Sequence, residues 1–262
     1  RFEESIKAYE KALAIDRNFI ASYIGIGNNN VFLGRPSEAR RSYAKLLGVA
    51  RNDGERLQAH FWTAMSYVHE GATDKALAEI EKSAALNKTR GDLAALSGSY
   101  NQMGNIMLEA GRVDDAEEKF AKQVTTMEKA DVAAQVKEAT RRQNLFDRGR
   151  VALAKQDMAS AKALAQEYGK AVDAKKIPFE VRQSHELTGR IALAERDYGK
   201  AAAELRQANQ QDPRVLFLLA AALKGKGDKA EAKQVATAAA DWNALSNTYG
   251  YVRTKARAIA AN

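Results

Sequence analysis

The chain has no cysteine, which excludes disulfides and thiolate chemistry but does not choose between the cytoplasm and an oxidising compartment. It has 3 prolines in 262 residues, so obligatory helix breaks are few. Histidine is equally scarce, and the three present do not make a metal site. His60 and His69 lie about 900° apart around a helix of 3.6 residues per turn, on opposite faces. No histidine pair has the four-residue spacing of a helical zinc site, and His185-Glu186 has no second histidine to complete one. No run approaches the roughly 18 consecutive apolar residues of a membrane helix, and the first residues lack a charged-then-apolar secretory pattern. These absences lead us to expect a soluble chain without metal or cofactor, cytoplasmic or periplasmic according to what precedes Arg1.

Two segments imitate catalytic motifs, and one fails on spacing, the other on burial. Lys224-Gly225-Lys226-Gly227-Asp228-Lys229 lacks the glycine five residues before a Gly-Lys pair, has no Ser or Thr after the lysine, and follows a helical rather than a strand pattern. The cluster Asp114, Asp115, Glu117 and Glu118 falls at the expected start of a helix, where carboxylates stabilise exposed amides. Nothing in the pattern buries one carboxylate beside another, as an acid-base pair would need. We therefore expect no enzymatic activity from these residues.

What the chain does contain is repetition. A bulky residue, a small residue four later, a packing residue three further, a turn residue after four more and an alanine five beyond recur six times. Tyr23, Gly27, Asn30, Gly34 and Ala39 are the first full copy. The turn positions are Gly34, Gly71, Gly111, Gln156, Arg196 and Gly227, with separations from 31 (Arg196 to Gly227) to 45 (Gly111 to Gln156). The small slot holds Gly27, Ala64, Gly104, Gly149, Gly189 and Ala220, where a larger side chain would strike the paired helix; Ala39, Ala76, Ala116, Ala161, Ala201 and Ala232 play the same part after the turn. Units of this size cannot bury their apolar faces alone and must stack.

The chain resembles the tetratricopeptide repeat family over nearly its whole length. Tyr100, Gly104, Gly111, Ala116 and Phe120 carry the likeness in the third copy, and His185, Gly189, Asp197, Tyr198, Ala201, Leu205 and Pro213 in the fifth. The family unit is 34 residues, so most units here are lengthened; Thr125 to Arg142 has no glycine or proline and reads as helix extension. The resemblance implies an all-α, right-handed superhelix of stacked helix-turn-helix units, of bacterial origin, in a regulator or envelope assembly. The expected organisation is one solenoid over 1–262. Residues 1–17 form the second helix of a hairpin truncated upstream, 18–240 six hairpins, and 241–262 a terminal helix capping the last open face with Tyr249, Val252, Ala256 and Ile259.

The resemblance also puts one face of each first helix on the concave side. Three positions spaced by four and then three residues share that face. The outer row is Ile24, Phe61, Asn101, Phe146, Glu186 and Phe217; the middle row Asn28, Met65, Asn105, Arg150, Arg190 and Ala221; the inner row Val31, Val68, Leu108, Leu153, Leu193 and Lys224. From these, Asn28, Phe61, Asn101, Asn105, Phe146, Arg150 and Arg190 are the candidate contacts for a protein or peptide. Asparagine amides pair with peptide main chain, arginines with carboxylates, and phenylalanines supply apolar area. Asp147 and Glu186 stand at helical separations where they can instead pair the arginines. The family's carboxylate-gripping set is incomplete, with Ile24 in place of its first lysine. A net charge of +8, concentrated after Arg214, favours acidic partners, while no nucleic-acid reading motif accompanies it. The expected function is a non-catalytic interaction module with a groove ligand; the alternative is a scaffold or sensory segment joining domains or chains without one.

Overall fold

The computed structural model describes residues 1–246 and 249–261, and among these it contains fourteen α-helices. They are α1 (Phe2–Ile15), α2 (Ile20–Phe32), α3 (Pro36–Val49), α4 (Asp53–Glu70), α5 (Thr73–Thr89), α6 (Leu93–Glu109) and α7 (Val113–Glu128), followed by α8 (Ala134–Ala154), α9 (Met158–Lys175), α10 (Pro178–Ala194), α11 (Tyr198–Gln207), α12 (Pro213–Lys226), α13 (Lys229–Ala240) and α14 (Tyr249–Ala260). Helices α2 to α13 pair into six hairpins, and each helix packs on its neighbours in sequence. Contacts between alternate helices, α2 with α4, α8 with α10 and α10 with α12, stack the hairpins. The accessible surface is 12,935 Å², against about 11,300 Å² for a compact monomer of this mass. The excess is what a solenoid with a hollow side should show.

Each hairpin turn is built the same way. All six turn residues have positive φ, from 61° at Gln156 to 97° at Gly227. In each, the turn residue and the one after it donate amides back into the preceding helix, as Gly71 does to the Val68 carbonyl at 3.1 Å and Ala72 to that of Tyr67 at 2.9 Å. That double bond satisfies carbonyls otherwise orphaned at a helix end. Asp157 and Asp197 then cap the following helices by accepting from the amides of Ser160 and Lys200.

The small slots close the hairpins. A Cβ on Gly27 would lie 2.1 Å from the Tyr43 ring, and one on Gly104 2.6 Å from Phe120, so these aromatics fill the space of the missing side chains. Tyr43, Phe120 and Tyr168 are all buried. Gly149 departs from the pattern, because its nearest side chain is Leu187 of α10, in the next hairpin, and not a residue of the paired α9. The expected helix extension over Thr125 to Arg142 is interrupted: α7 ends at Glu128 and α8 begins at Ala134, with Ala130 buried in the link. The added length goes into α8, which has 21 residues.

The C-terminal segment does more than cover the last hairpin. Helix α14 packs on α13 and α12, with Ala256 against Leu216 and Phe217, and it also reaches α4 near the other end of the stack. Leu245 joins Val31, Ala39 and Tyr43 in a cluster of the first hairpin, and Tyr249 meets His69 edge-on at 5.2 Å. The solenoid is thus closed on itself through the hollow side. Residues 247, 248 and 262 of the expected 241–262 cap lie outside the described residues.

Candidate functional site

The middle of the hollow side is a polar spine that crosses four hairpins. Helix α6 contributes Asn105 and Glu109, α8 Asp147 and Arg150, α10 Glu186 and Arg190, and α12 Arg214. Arg150 donates from Nη1 to Asn105 Oδ1 at 2.6 Å and to Asp147 Oδ1 at 3.2 Å, and from Nη2 to Glu109 Oε1 at 3.1 Å. Arg214 reaches Glu186 at 3.1 Å and Glu109 at 3.8 Å, while Arg190 pairs with Glu186 at 2.9 Å. Successive first helices lie side by side in the stack, so Arg150 meets residues 41 and 45 positions earlier and Arg214 one 28 earlier, while the curve of the stack also brings Arg214 of α12 near Glu109 of α6.

Burial and charge oppose one another here. Burial raises the Glu109 and Glu186 carboxyls, but the surrounding arginines outweigh it and hold both below the ordinary range. At Asp147, fully enclosed, burial wins over the pull of Arg150 and raises the carboxyl. Such a network costs desolvation and is retained only where its members are mutually satisfied.

Two cavities flank Arg150. The larger, about 620 Å³, is lined by Asn101, Asn105, Phe146 and Arg150 together with Gln143, Phe179, Gln183, Arg214 and Trp242. The smaller, about 350 Å³, is lined by Glu109, Arg150, Arg190 and the inner-row residues Leu108, Leu153 and Leu193. Of the seven candidate residues, four therefore meet at the larger cavity and Arg190 at the smaller. Phe61 lies elsewhere, beside Trp62 in a separate cavity of about 480 Å³ between α4, α5 and α6. Asn28 accepts from the Tyr43 hydroxyl at 2.8 Å, a bond internal to the first hairpin. Asn101 donates to Gln123 at 3.0 Å and to Asp147 at 3.2 Å, and Phe146 is 1% exposed.

Sequence reasoning missed a further row. Gly98, Gln143, Gln183 and Arg214 each stand three residues before an outer-row position and line the larger cavity. Phe179, 50% exposed, is one turn earlier again. The signal was present, since three-residue spacing simply continues the face toward the helix start. Outside the groove, His60 and His185 each place Nδ1 2.8 Å from a glutamate of the paired helix, Glu79 and Glu204, so these bulky-slot histidines are hairpin cross-links. Asp114 and Glu117 meet Lys155 of the next hairpin at 2.8 and 2.7 Å, and among the described residues no cluster of potential metal ligands occurs. No described helix is long and apolar enough to cross a membrane.

Comparison with known proteins bears on the fold. Residues 1–19 match the family model described as tetratricopeptide repeat. No curated protein matches the chain by sequence. Among solved structures, a tetratricopeptide repeat protein from Parabacteroides merdae is similar with a TM-score of 0.59 at 13% identity, over 100% of this chain and 93% of that one. BtubC from P. vanneervenii is similar with a TM-score of 0.55 at 14% identity, over 94% of this chain and 92% of that one.

Proposed function

We propose that this chain, whose fold is that of a tetratricopeptide-repeat solenoid, is a non-catalytic protein-interaction module that holds a segment of another protein on its hollow side. The observation that carries this reading is the 620 Å³ cavity, which combines an exposed phenylalanine with amides of Asn101, Gln143 and Gln183 along one continuous face. An extended segment offers main-chain acceptors and donors for the amide hydrogens of Gln143 and Gln183 left after their bonds to Asp147 and Gln143 and for the second lone pair of the Asn101 oxygen, and the half-exposed Phe179 offers area for one apolar side chain. The spine beneath supplies rigidity, since Arg150, Arg190 and Arg214 are engaged by Glu109, Asp147 and Glu186. An acidic side chain of the partner would compete with those carboxylates, so the preference for acidic partners rests on long-range steering by the net charge of +8.

A scaffold without a groove ligand is the second reading, favoured by the C-terminal segment that fills part of the hollow side. The two separate in a selection of displayed peptides against the whole chain, followed by hydrogen exchange on the complex. Protection confined to the cavity-facing parts of α6, α8 and α10 is expected. Protection on α7, α9 and α11 alone, or failure to select any binder, would overturn the groove reading.

A further inference from the structure

Helix α14 is held against the first hairpins by a contact that only glycine permits. A Cβ on Gly250 would lie 2.8 Å from the Val68 carbonyl oxygen and 2.9 Å from its carbonyl carbon, so the two backbones approach as closely as they can. Around that crossing, Tyr249 packs on His69 and Phe32, Arg253 lies over the Phe32 and Tyr249 rings at 5.8 and 5.7 Å, and Tyr251 packs against the α4–α6 core. Tyr249, Val252 and Ala256 are buried. The receiving surface is therefore apolar and aromatic, formed by Phe32, Val68 and His69. The seated helix brings a small residue at the crossing, aromatics on either side and a basic residue three positions on.

Helix α14 also packs on α12 and α13, which belong to its own end of the stack, and the non-helical stretch from Asp241 to Ser246 joins it to α13. Its hold on α4 and α2 is thus a long-range closure, added to a local attachment that does not need it. A tethered segment enjoys an effective concentration on the order of millimolar, so a surface that binds it in cis excludes weak competitors and admits a partner that binds better.

We propose that the surface formed by Phe32, Val68 and His69 is a receptor for a partner helix of α14's chemistry, with glycine or alanine at the crossing, flanking aromatics and a basic edge, and that α14 is its built-in competitor. This shares with the cavity reading only the premise that the hollow side receives protein segments. The helix receptor lies on α2 and α4, whereas the 620 Å³ cavity is centred on α6, α8 and α10.

The test uses the whole chain and a labelled synthetic peptide with the sequence of residues 249–262, which leaves out Trp242, Ala244 and Ser246, the part of the C-terminal segment that lines the 620 Å³ cavity. In the native protein the peptide finds its receptor occupied and binds weakly. Gly250→Leu forces α14 away from the Val68 backbone, which hydrogen exchange across 249–260 reads directly. Peptide affinity should then rise at least tenfold, and Val68→Asp in the same background should abolish the gain. Should Gly250→Leu lose cooperative unfolding, the titration is run on Gly250→Ala, whose added carbon meets the same carbonyl. Exchange that shows α14 freed while the peptide still fails to bind overturns the proposal. So does α14 protection unchanged in both variants. Either result leaves the cavity footprint on α6 to α10 untouched, so the two readings fail separately.

Discussion

Arg150 in α8 donates from Nη1 to the side-chain oxygen of Asn105 in α6 at 2.6 Å, joining the middle-row residues of two successive hairpins. The same guanidinium meets Asp147 and Glu109, and it is 4% exposed. Removing it leaves two enclosed carboxylates without their principal partner. Arg150→Ala should therefore cost about 3–5 kcal/mol of stability, measured by urea unfolding. Arg150→Glu with Arg190→Glu should be worse, because it adds like charge to the site. A loss under about 1 kcal/mol for Arg150→Ala would show that water already satisfies the spine.

The turns give a prediction of opposite sign. Gln156 and Arg196 hold φ of 61° and 62° where four other hairpins have glycine, and both are exposed. Left-handed backbone costs a residue with a Cβ about 1–2 kcal/mol, part of which glycine returns as unfolded-chain entropy. Gln156→Gly and Arg196→Gly should each stabilise by up to about 1 kcal/mol, while Gly111→Ala destabilises by a similar amount. Thermal unfolding of the three single variants checks all three signs. Destabilisation by both glycine substitutions would mean that the side chains make contacts stronger than the backbone strain.

These turns were legible because φ > 0 at a hairpin leaves a mark in the sequence at fixed offsets from the small slot and the alanine. All six positions, including the two without glycine, were set by that register. The path of the C-terminal segment was not legible. Tyr249, Val252 and Ala256 announce a buried stripe, but whether it faces only α12 and α13 or also α4 depends on how far the superhelix has curved by the sixth hairpin. That curvature sums small rotations at every interface, and local spacing does not reveal a packing such as Gly149 against Leu187 in place of a residue of α9. The spine was half legible. Local spacing paired Arg150 with Asp147 and Arg190 with Glu186, while Glu109 and Arg214, from other hairpins, lay outside the three rows.

His69 makes the closure by α14 sensitive to acid. Burial first, then the nearby Arg253 cation, pushes its imidazole down to about 4. When released, the ring takes up a proton near the ordinary value of about 6.5. The folded form thus binds fewer protons between these values, and stability falls as pH drops from about 6.5 to about 4, with no contribution above that window. The loss on acidification to pH 4.5 should be on the order of 2 kcal/mol from this residue. His69→Phe should keep the ring contact with Tyr249 and flatten that part of the profile. Urea unfolding of both proteins at pH 7 and pH 4.5 gives the comparison; equal losses in both would assign the acid sensitivity to other groups.

Two phenylalanines at the larger cavity separate folding from recognition. Phe146 is 1% exposed and packs against Tyr168 with the rings tilted by 51° and 5.9 Å apart, whereas Phe179 is 50% exposed at the start of α10. Truncating a buried ring leaves a void and costs about 3–5 kcal/mol, while a half-exposed one away from the core changes stability by about 0.5 kcal/mol or less. Phe146→Ala should therefore lower the unfolding midpoint sharply. Phe179→Ala should leave it nearly unchanged yet weaken a peptide selected against the whole chain by more than about 1 kcal/mol, the loss expected of an anchoring aromatic. Calorimetric titration of the same peptide into native protein and Phe179→Ala, at matched helical content, reads the second effect without the first. Unchanged affinity would remove Phe179 from the recognition surface and place the peptide deeper, on Asn101, Gln143 and Gln183, whose single alanine variants would then carry the loss.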